Sequence, residues 1–553
     1  MRREHPSMVH AAAACSRREG FRIINVTKEV IRDYFEETAA DELDKGARPR
    51  TSGNVNHTPI FQAVATAQNL PGHEAETNIL HRDGAVETPS FPGPEPFLSP
   101  QNSDSAFEDG IFLPGSQYQE LHATLRSRLI DTARSTAPSR IGSPEIPDVR
   151  PSLHRSDSAE SDDEESRRLA QLSAEQEYAL WQNYIDEVAP WMDKFDNERH
   201  FELVLPVISK THPHVRYSIL ALSARQLELK AQRADNQLSL ALYQHAIHLL
   251  SPLLQQRTTV VLASCVVLCV LEMMSCSPKA WRRHLDGCAA LIQSLGLTGE
   301  CGGLEQAMFW CFARMDICGG LISSERTLIP MHRWLSSSGD DFLTDYSLLQ
   351  NISGFDTYAN RVVYLCGQVI DLLCSSGKWE QRHHHQQSRV VMDATEYIHH
   401  WTHLFEVLEK WYLDRPEEMK PLLTIPTTQP FQTLFYGNGS AVSGNQMYHT
   451  AALLMLKYKP SHLQFQASVS KKPHSILWHA RQICAISLSN RHHAAWTNSV
   501  QPLWVAGQHM SHECEHRAIL EIYGVIEKET GWKTRWRADD LREYWGEGEE
   551  EIV

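Results

Sequence analysis

Apolar residues recur at helical spacing from about residue 170 onward. Trp281, Leu285, Cys288, Ile292 and Leu295 follow one another at steps of four and three, which sets them on one face of a helix. Ser277 is placed to cap that helix, Pro278 to open it, and Gly296 to end it in the left-handed conformation. Leu304, Met308, Cys311, Met315, Cys318 and Ile322 repeat the pattern, and Gly319 and Gly320 either loosen its last turn or admit another backbone. The same periodicity predicts helices over 173–189, 212–233, 238–256, 258–275, 279–296, 303–322, 356–374, 388–413, 446–457, 473–489 and 510–530. Pro190, Pro206, Pro213, Pro252 and Pro278 punctuate the first half, and Gly437-Asn438-Gly439-Ser440 reads as a turn. No run alternates with period two between tight turns. The expected fold class is therefore all-α, an irregular multi-helix array.

The N-terminal third lacks this pattern. Residues 39–168 are rich in Pro, Ser, Gly, Thr and charge, a composition that buries too little apolar surface to offset backbone entropy. A disordered linker is expected there, behind a short segment at 1–38. The helical unit is expected over 169–546 and an acidic tail over 547–553. Phe91, Phe97, Phe107, Ile111, Phe112 and Leu113 lie among Pro and acidic residues, as in an acidic activation segment or a plain linker. Asp157 to Glu165 is a solvated acidic run in which Ser161 has the setting of a phosphoacceptor. Gly377 to Ser388, with three histidines at 383–385, is a polar linker within the helical array.

Charge narrows the function. The chain of 553 residues carries 52 basic and 68 acidic side chains, a formal charge of −16. Duplex DNA binding needs phosphate-neutralising Lys and Arg, so the chain as a whole is a poor DNA binder. Eleven of the twelve cysteines lie between Cys265 and Cys514, mostly inside apolar helical stretches, which suits a reducing compartment rather than a disulfide scaffold. The longest apolar run, Val260 to Leu271, is too short to span a bilayer, and no membrane association is expected.

Particular residues say more than their periodicity. The runs W-R-x-H-L-x-G-C at 281–288, Q-A-x-F-W-C-F-A-R-M-D at 306–316 and T-L-I-P-x-x-x-W at 327–334 resemble the C-terminal regulatory domain of fungal zinc-cluster (Zn2Cys6) transcription factors. Further blocks in the same order lie at 447–460, 479–490, 501–507, 526–532 and 541–546, so the resemblance covers roughly 170–546. It implies a helical regulatory domain, residence in the nucleus, and partners among the transcription machinery or a DNA-binding protein, with a small-molecule effector as a further possibility. Its signature residues here are Trp281, His284, Leu285, Gly287, Trp310, Arg314, Asp316, Pro330 and Trp334. Buried Arg and Asp on neighbouring helices most often satisfy each other, so a structural role is expected for them, with the lining of a ligand cavity as the alternative.

The family's zinc cluster needs six closely spaced cysteines. Here Cys15 is followed by none until Cys265, and there is no C-x-x-C. The segment 21–38 resembles the stretch that follows the cluster in relatives. Two alternatives stand: a regulator without its own cluster that acts through partners, or a cluster encoded upstream of Met1. No specific DNA binding by this chain alone is expected, and no cofactor, zinc being expected only if a cluster is restored. His512-Glu513-Cys514-Glu515-His516 matches H-E-x-x-H, in which two histidines one helical turn apart bind zinc and the glutamate activates water. A third ligand is missing from its usual place. A zinc-dependent hydrolase using His512, Glu513 and His516 is therefore the alternative function, and a non-catalytic helical scaffold a further one. Cys265 and Cys269 could chelate at i and i+4, but their apolar surround favours core.

Overall fold

The computed structural model describes residues 171–232, 237–275, 278–335, 354–379, 392–465 and 472–547, with the side chains at 278–280, 283 and 284 left undescribed. The segments read as 1–38 and 39–168, the cap Ser277, the histidines at 383–385, the side chain of His284 and all but the first residue of the acidic tail lie outside them. The described residues are helical almost throughout.

Helix α1 (Ala174–Asn183) opens with a capping box: Ser173 Oγ accepts from the Gln176 N–H and the Gln176 side chain accepts from the Ser173 N–H. It runs through a π turn at Tyr184–Val188 into α2 (Ala189–Asp193), whose second residue is Pro190. A second π turn at His200–Val204 precedes α3 (Leu205–Ser209), whose second residue is Pro206. The coincidence has a cause. Proline has no N–H and its ring crowds the carbonyl four residues back, and one wide turn shifts the ladder past it. Pro213 and Pro278 instead begin α4 (Pro213–Lys230) and α7 (Pro278–Ser294), where the missing N–H is no loss.

Helices α5 (Gln237–Leu250) and α6 (Thr259–Ser275) pack on α4, and α7 lies between α6 and α8 (Gly303–Ser323). The stretch expected as helix over 238–256 is α-helical only to Leu250 and continues as a 3-10 turn, Ser251–Gln256. Helix α9 (Phe355–Ser375) packs against α8, α10 (Ala394–Leu413) and α11 (Gly439–Lys457). Helices α12 (Ile476–Ser489), α13 (His493–Gly507), α14 (Glu513–Thr530) and α15 (Arg535–Trp545) complete the unit. A small antiparallel hairpin, β1 (Leu423–Ile425) with β2 (Thr433–Phe435), is tied to the end of α12. Ser489 Oγ accepts from the Leu434 N–H, and Asn490 both accepts from the Tyr436 N–H and donates to the Leu434 carbonyl.

Several boundaries differ from the sequence expectation. Helix α11 starts at Gly439, not at 446, because the supposed turn is a cap: Asn438 Oδ1 accepts from the Ala441 N–H. Every residue from Gly439 to Leu456 is buried, so α11 has no polar face to reveal its start. Helix α10 begins at Ala394, capped by Asp393, rather than at 388. Helix α12 begins at Ile476, after a 3-10 turn at Lys472–His474. Helices α3, α13 and α15 lie outside the stretches that the periodicity predicts. Pro502 lies inside α13 and obscures it in the sequence. Among the described residues no helix is long and apolar enough to cross a membrane.

Candidate functional site

The resemblance-bearing residues converge on the α7–α8 pair and the loop after α8. Trp281, Leu285, Cys288 and Ile292 are buried on one face of α7. The helix ends in a two-bond closure: the Leu297 N–H donates to the Ile292 carbonyl and the Gly296 N–H to that of Gln293, with Gly296 at φ 66°. Gly287 is buried, whereas Pro330 is exposed and opens a 3-10 turn, Met331–Arg333.

Asp316, with no exposed surface, holds that loop. Its two oxygens accept from the Leu328 N–H at 2.9 and 2.8 Å, and one accepts from the Ile329 N–H at 3.2 Å. Arg282 lies 3.7 Å away, pairs with Glu325 at 3.0 Å and donates to the Arg326 carbonyl. Burial pushes the Asp316 carboxyl up to about 6, against the pull of Arg282 and the backbone donors. Gly319 makes room for this knot: a Cβ there would collide with Arg282 Nη1 and touch the Trp281 ring. At Gly320 a Cβ would stand 2.9 Å from the Glu325 carbonyl oxygen. Close approach, not a loosened turn, accounts for the glycine pair.

An aromatic cluster fixes the other end of the loop. Phe309, Trp310 and Trp334 meet edge to face at 5.5 to 6.0 Å between ring centres. Both indoles are satisfied: Trp310 Nε1 donates to the Gly299 carbonyl and Trp334 Nε1 to that of Ile329, each at 3.0 Å. Arg314 stands apart from Asp316. It donates to the Met192 carbonyl at 2.7 Å and lies over the Phe195 ring at 5.1 Å.

That arginine leads to a cavity of about 50 Å³. Trp191 and Met192 line it from α2, Val270 and Met273 from α6. Cys311, Arg314, Met315 and Cys318 line it from α8, Thr497 and Asn498 from α13, and Trp532 closes it. Trp191 Nε1 and Asn498 Nδ2 are buried donors with no partner. Lys194, next to it, is buried and donates to the Ala494 carbonyl and Thr497 Oγ1; burial and Arg314 push its amine well below the usual range. Of these polar groups, the sequence had singled out Arg314 alone. Trp191, Lys194 and Asn498 carry no motif; the charges Asp193 and Lys194 inside the otherwise apolar stretch 188–195 are the one signal near the first two, and nothing marks Asn498.

The H-E-x-x-H residues are arranged differently from the zinc-site geometry. Helix α14 starts at Glu513, so His512 is not one turn back on the helix but its cap, its Nδ1 accepting from the Cys514 N–H. His516 has both ring nitrogens engaged, Nδ1 with Glu547 at 2.6 Å and Nε2 with the Met510 carbonyl at 3.1 Å. Its ring stacks on Trp545 at 3.7 Å. Among the described residues no three His, Cys, Asp or Glu side chains are grouped as metal ligands. Cys265 and Cys269 are buried, and burial holds the Cys265 thiol well above its ordinary value.

Comparison with known proteins agrees with this architecture. The family model described as "Fungal specific transcription factor domain" matches residues 178–545, that is, from within α1 to the end of α15. The chain is 22% identical over 336 residues to the transcription activator AMTR1 of Alternaria alternata, covering 51% of this chain and 43% of that protein. It is 30% identical over 115 residues to the uncharacterized protein AN5342 of Emericella nidulans, covering 20% of this chain and 25% of the relative. The aligned region thus spans less than half the length of either curated relative. No solved structure gives a significant match. The sequence blocks, the helical array they build and the match across its length together make this chain a member of the fungal-specific transcription factor domain family.

Proposed function

We propose that the chain works in the nucleus as a non-catalytic regulator, its helical unit controlling transcription through a DNA-binding partner or the transcription machinery. The observation that carries this reading is the family match over 178–545, which coincides with the packed helices. The signature residues Trp281, Leu285, Trp310, Asp316 and Trp334 serve in this reading as the fastening of α7, α8 and the 327–334 loop, and Arg314 as the wall of the α2–α8–α13 cavity. Recruitment by a partner is supported by the formal charge of −16, which disfavours contact with DNA phosphates. A non-catalytic role is supported by His512 and His516, whose rings are already committed to a helix cap and to Glu547. Tethering the chain to an unrelated DNA-binding domain upstream of a reporter tests the proposal. A several-fold change in transcription is expected.

A further inference from the structure

The cavity beside Arg314 is built from donors. Trp191, 4% exposed, lines it and carries an unpartnered indole N–H, and Asn498 lines it with an unpartnered amide N–H. An orphaned buried donor costs about 1–3 kcal/mol, so two of them lining one cavity call for an acceptor inside it. Arg314 supplies a permanent positive charge, 6% exposed, and among the described residues no ion pair within 4.0 Å involves it. Asp193 and Asp196 act on it only from beyond that distance, and a buried guanidinium with no carboxylate in contact favours an anion that joins it. No Asp or Glu lines the cavity. Val270, Met273, Met315 and the Trp532 ring give it apolar walls, and the Thr497 hydroxyl is already engaged with Lys194 and the Ala494 carbonyl. One water needs about 10–15 Å³ of such space, so 50 Å³ exceeds a single water and suits a small organic molecule. Thr497, Asn498 and Trp532 are only half-buried and mark the way in.

We propose that this cavity binds the carboxylate of a small aliphatic acid of about two to four carbons, a size set by the volume of the site. Arg314 provides the counter-charge, the Trp191 and Asn498 N–H groups donate to the carboxylate oxygens, and Val270, Met273 and Met315 contact the short tail. The inference rests on reading the helical unit as a regulatory module and names the chemistry of its effector. Because α2, α6, α8 and α13 all contribute to the walls, an occupied site ties together helices distant in sequence.

The test is titration calorimetry of the purified full chain at pH 7 and constant ionic strength. The probes are sodium propionate and sodium butyrate, with propionamide and propanol as uncharged controls. Saturable binding of an acid at least about tenfold tighter than its amide is expected. Asn498→Leu, which keeps the side-chain shape, should weaken binding at least about fivefold while leaving the ligand-free protein as stable or more stable, because an orphaned donor is removed. Trp191→Phe gives the same loss by the other donor. No saturable binding of either acid, equal affinity for acid and amide, or wild-type affinity in Asn498→Leu would overturn the proposal. A tethered reporter that responds while no acid binds would leave the transcriptional role standing and remove this one.

Discussion

Asp316 shows how much one side chain organises. Three backbone hydrogen bonds and the Arg282 charge make it the peg on which the loop from Thr327 to Trp334 hangs. Asp316→Ala leaves Arg282 buried and the Leu328 and Ile329 N–H groups unpaired. A loss of ~3–5 kcal/mol is expected, the cost of breaking a buried pair from one side. Equilibrium urea unfolding measures it, and an unchanged midpoint would show that the loop is held elsewhere. The need for a buried Arg–Asp contact was legible in the sequence, since both residues interrupt apolar stripes. Which arginine makes it was not. Arg314 is two residues from Asp316 and so points away from it on the helix, whereas Arg282 reaches it from α7 across the space that Gly319 leaves.

Elements were legible where one face stayed polar. Helix α7 mixes buried and half-buried positions, and its stripe, its first residue and its Gly296 terminus stand where periodicity and cap chemistry put them. Helix α11 is buried all round and α13 contains Pro502, so neither carries a clean signal. The start of α14 matters most for chemistry, because three residues decide whether His512 lies on the helix or caps it. The H-E-x-x-H match is a helix entrance in which His516 bridges Glu547 and Trp545. Glu513 is exposed, and Glu513→Gln should leave stability and reporter output unchanged. His516→Ala should instead loosen the α14–α15 junction, at a cost of ~1–3 kcal/mol for the hydrogen bonds lost. Thermal unfolding of the pair, with zinc content measured alongside, separates the two roles. One tightly held zinc per chain that is lost in His516→Ala would restore the hydrolase reading.

Across the whole helical unit, buried histidines set the response to acid. Burial pushes His214, His479 and His509 down to about 4, and holds His449, hydrogen-bonded to His479, well below its usual value. The unfolded chain therefore binds more protons than the folded one below pH 6.5, and stability rises with pH there. It is fully present above about 6.5 and is lost as pH falls toward 4. Asp316, raised to about 6, and Asp193, raised to about 8, act in the opposite sense, because the folded state keeps protons that the unfolded chain releases. His400 and His492 are lowered as well and Glu228 is raised, so the histidines still outnumber the carboxyls between pH 6.5 and 5, and the melting temperature should fall as the pH falls across that interval. A flat or rising profile would mean that the histidines are solvated. None of this was visible in the sequence, which gives the number of histidines but not their burial. The central claim remains that the packed helices regulate transcription. Its most direct test is the full chain fused to an unrelated DNA-binding domain, with reporter output compared with that domain alone at matched nuclear levels. The account predicts a several-fold change in transcription that Asp316→Ala weakens by destabilising the fold and Glu513→Gln preserves. Output equal to the bare DNA-binding domain, from a fusion shown to be folded and nuclear, would contradict it.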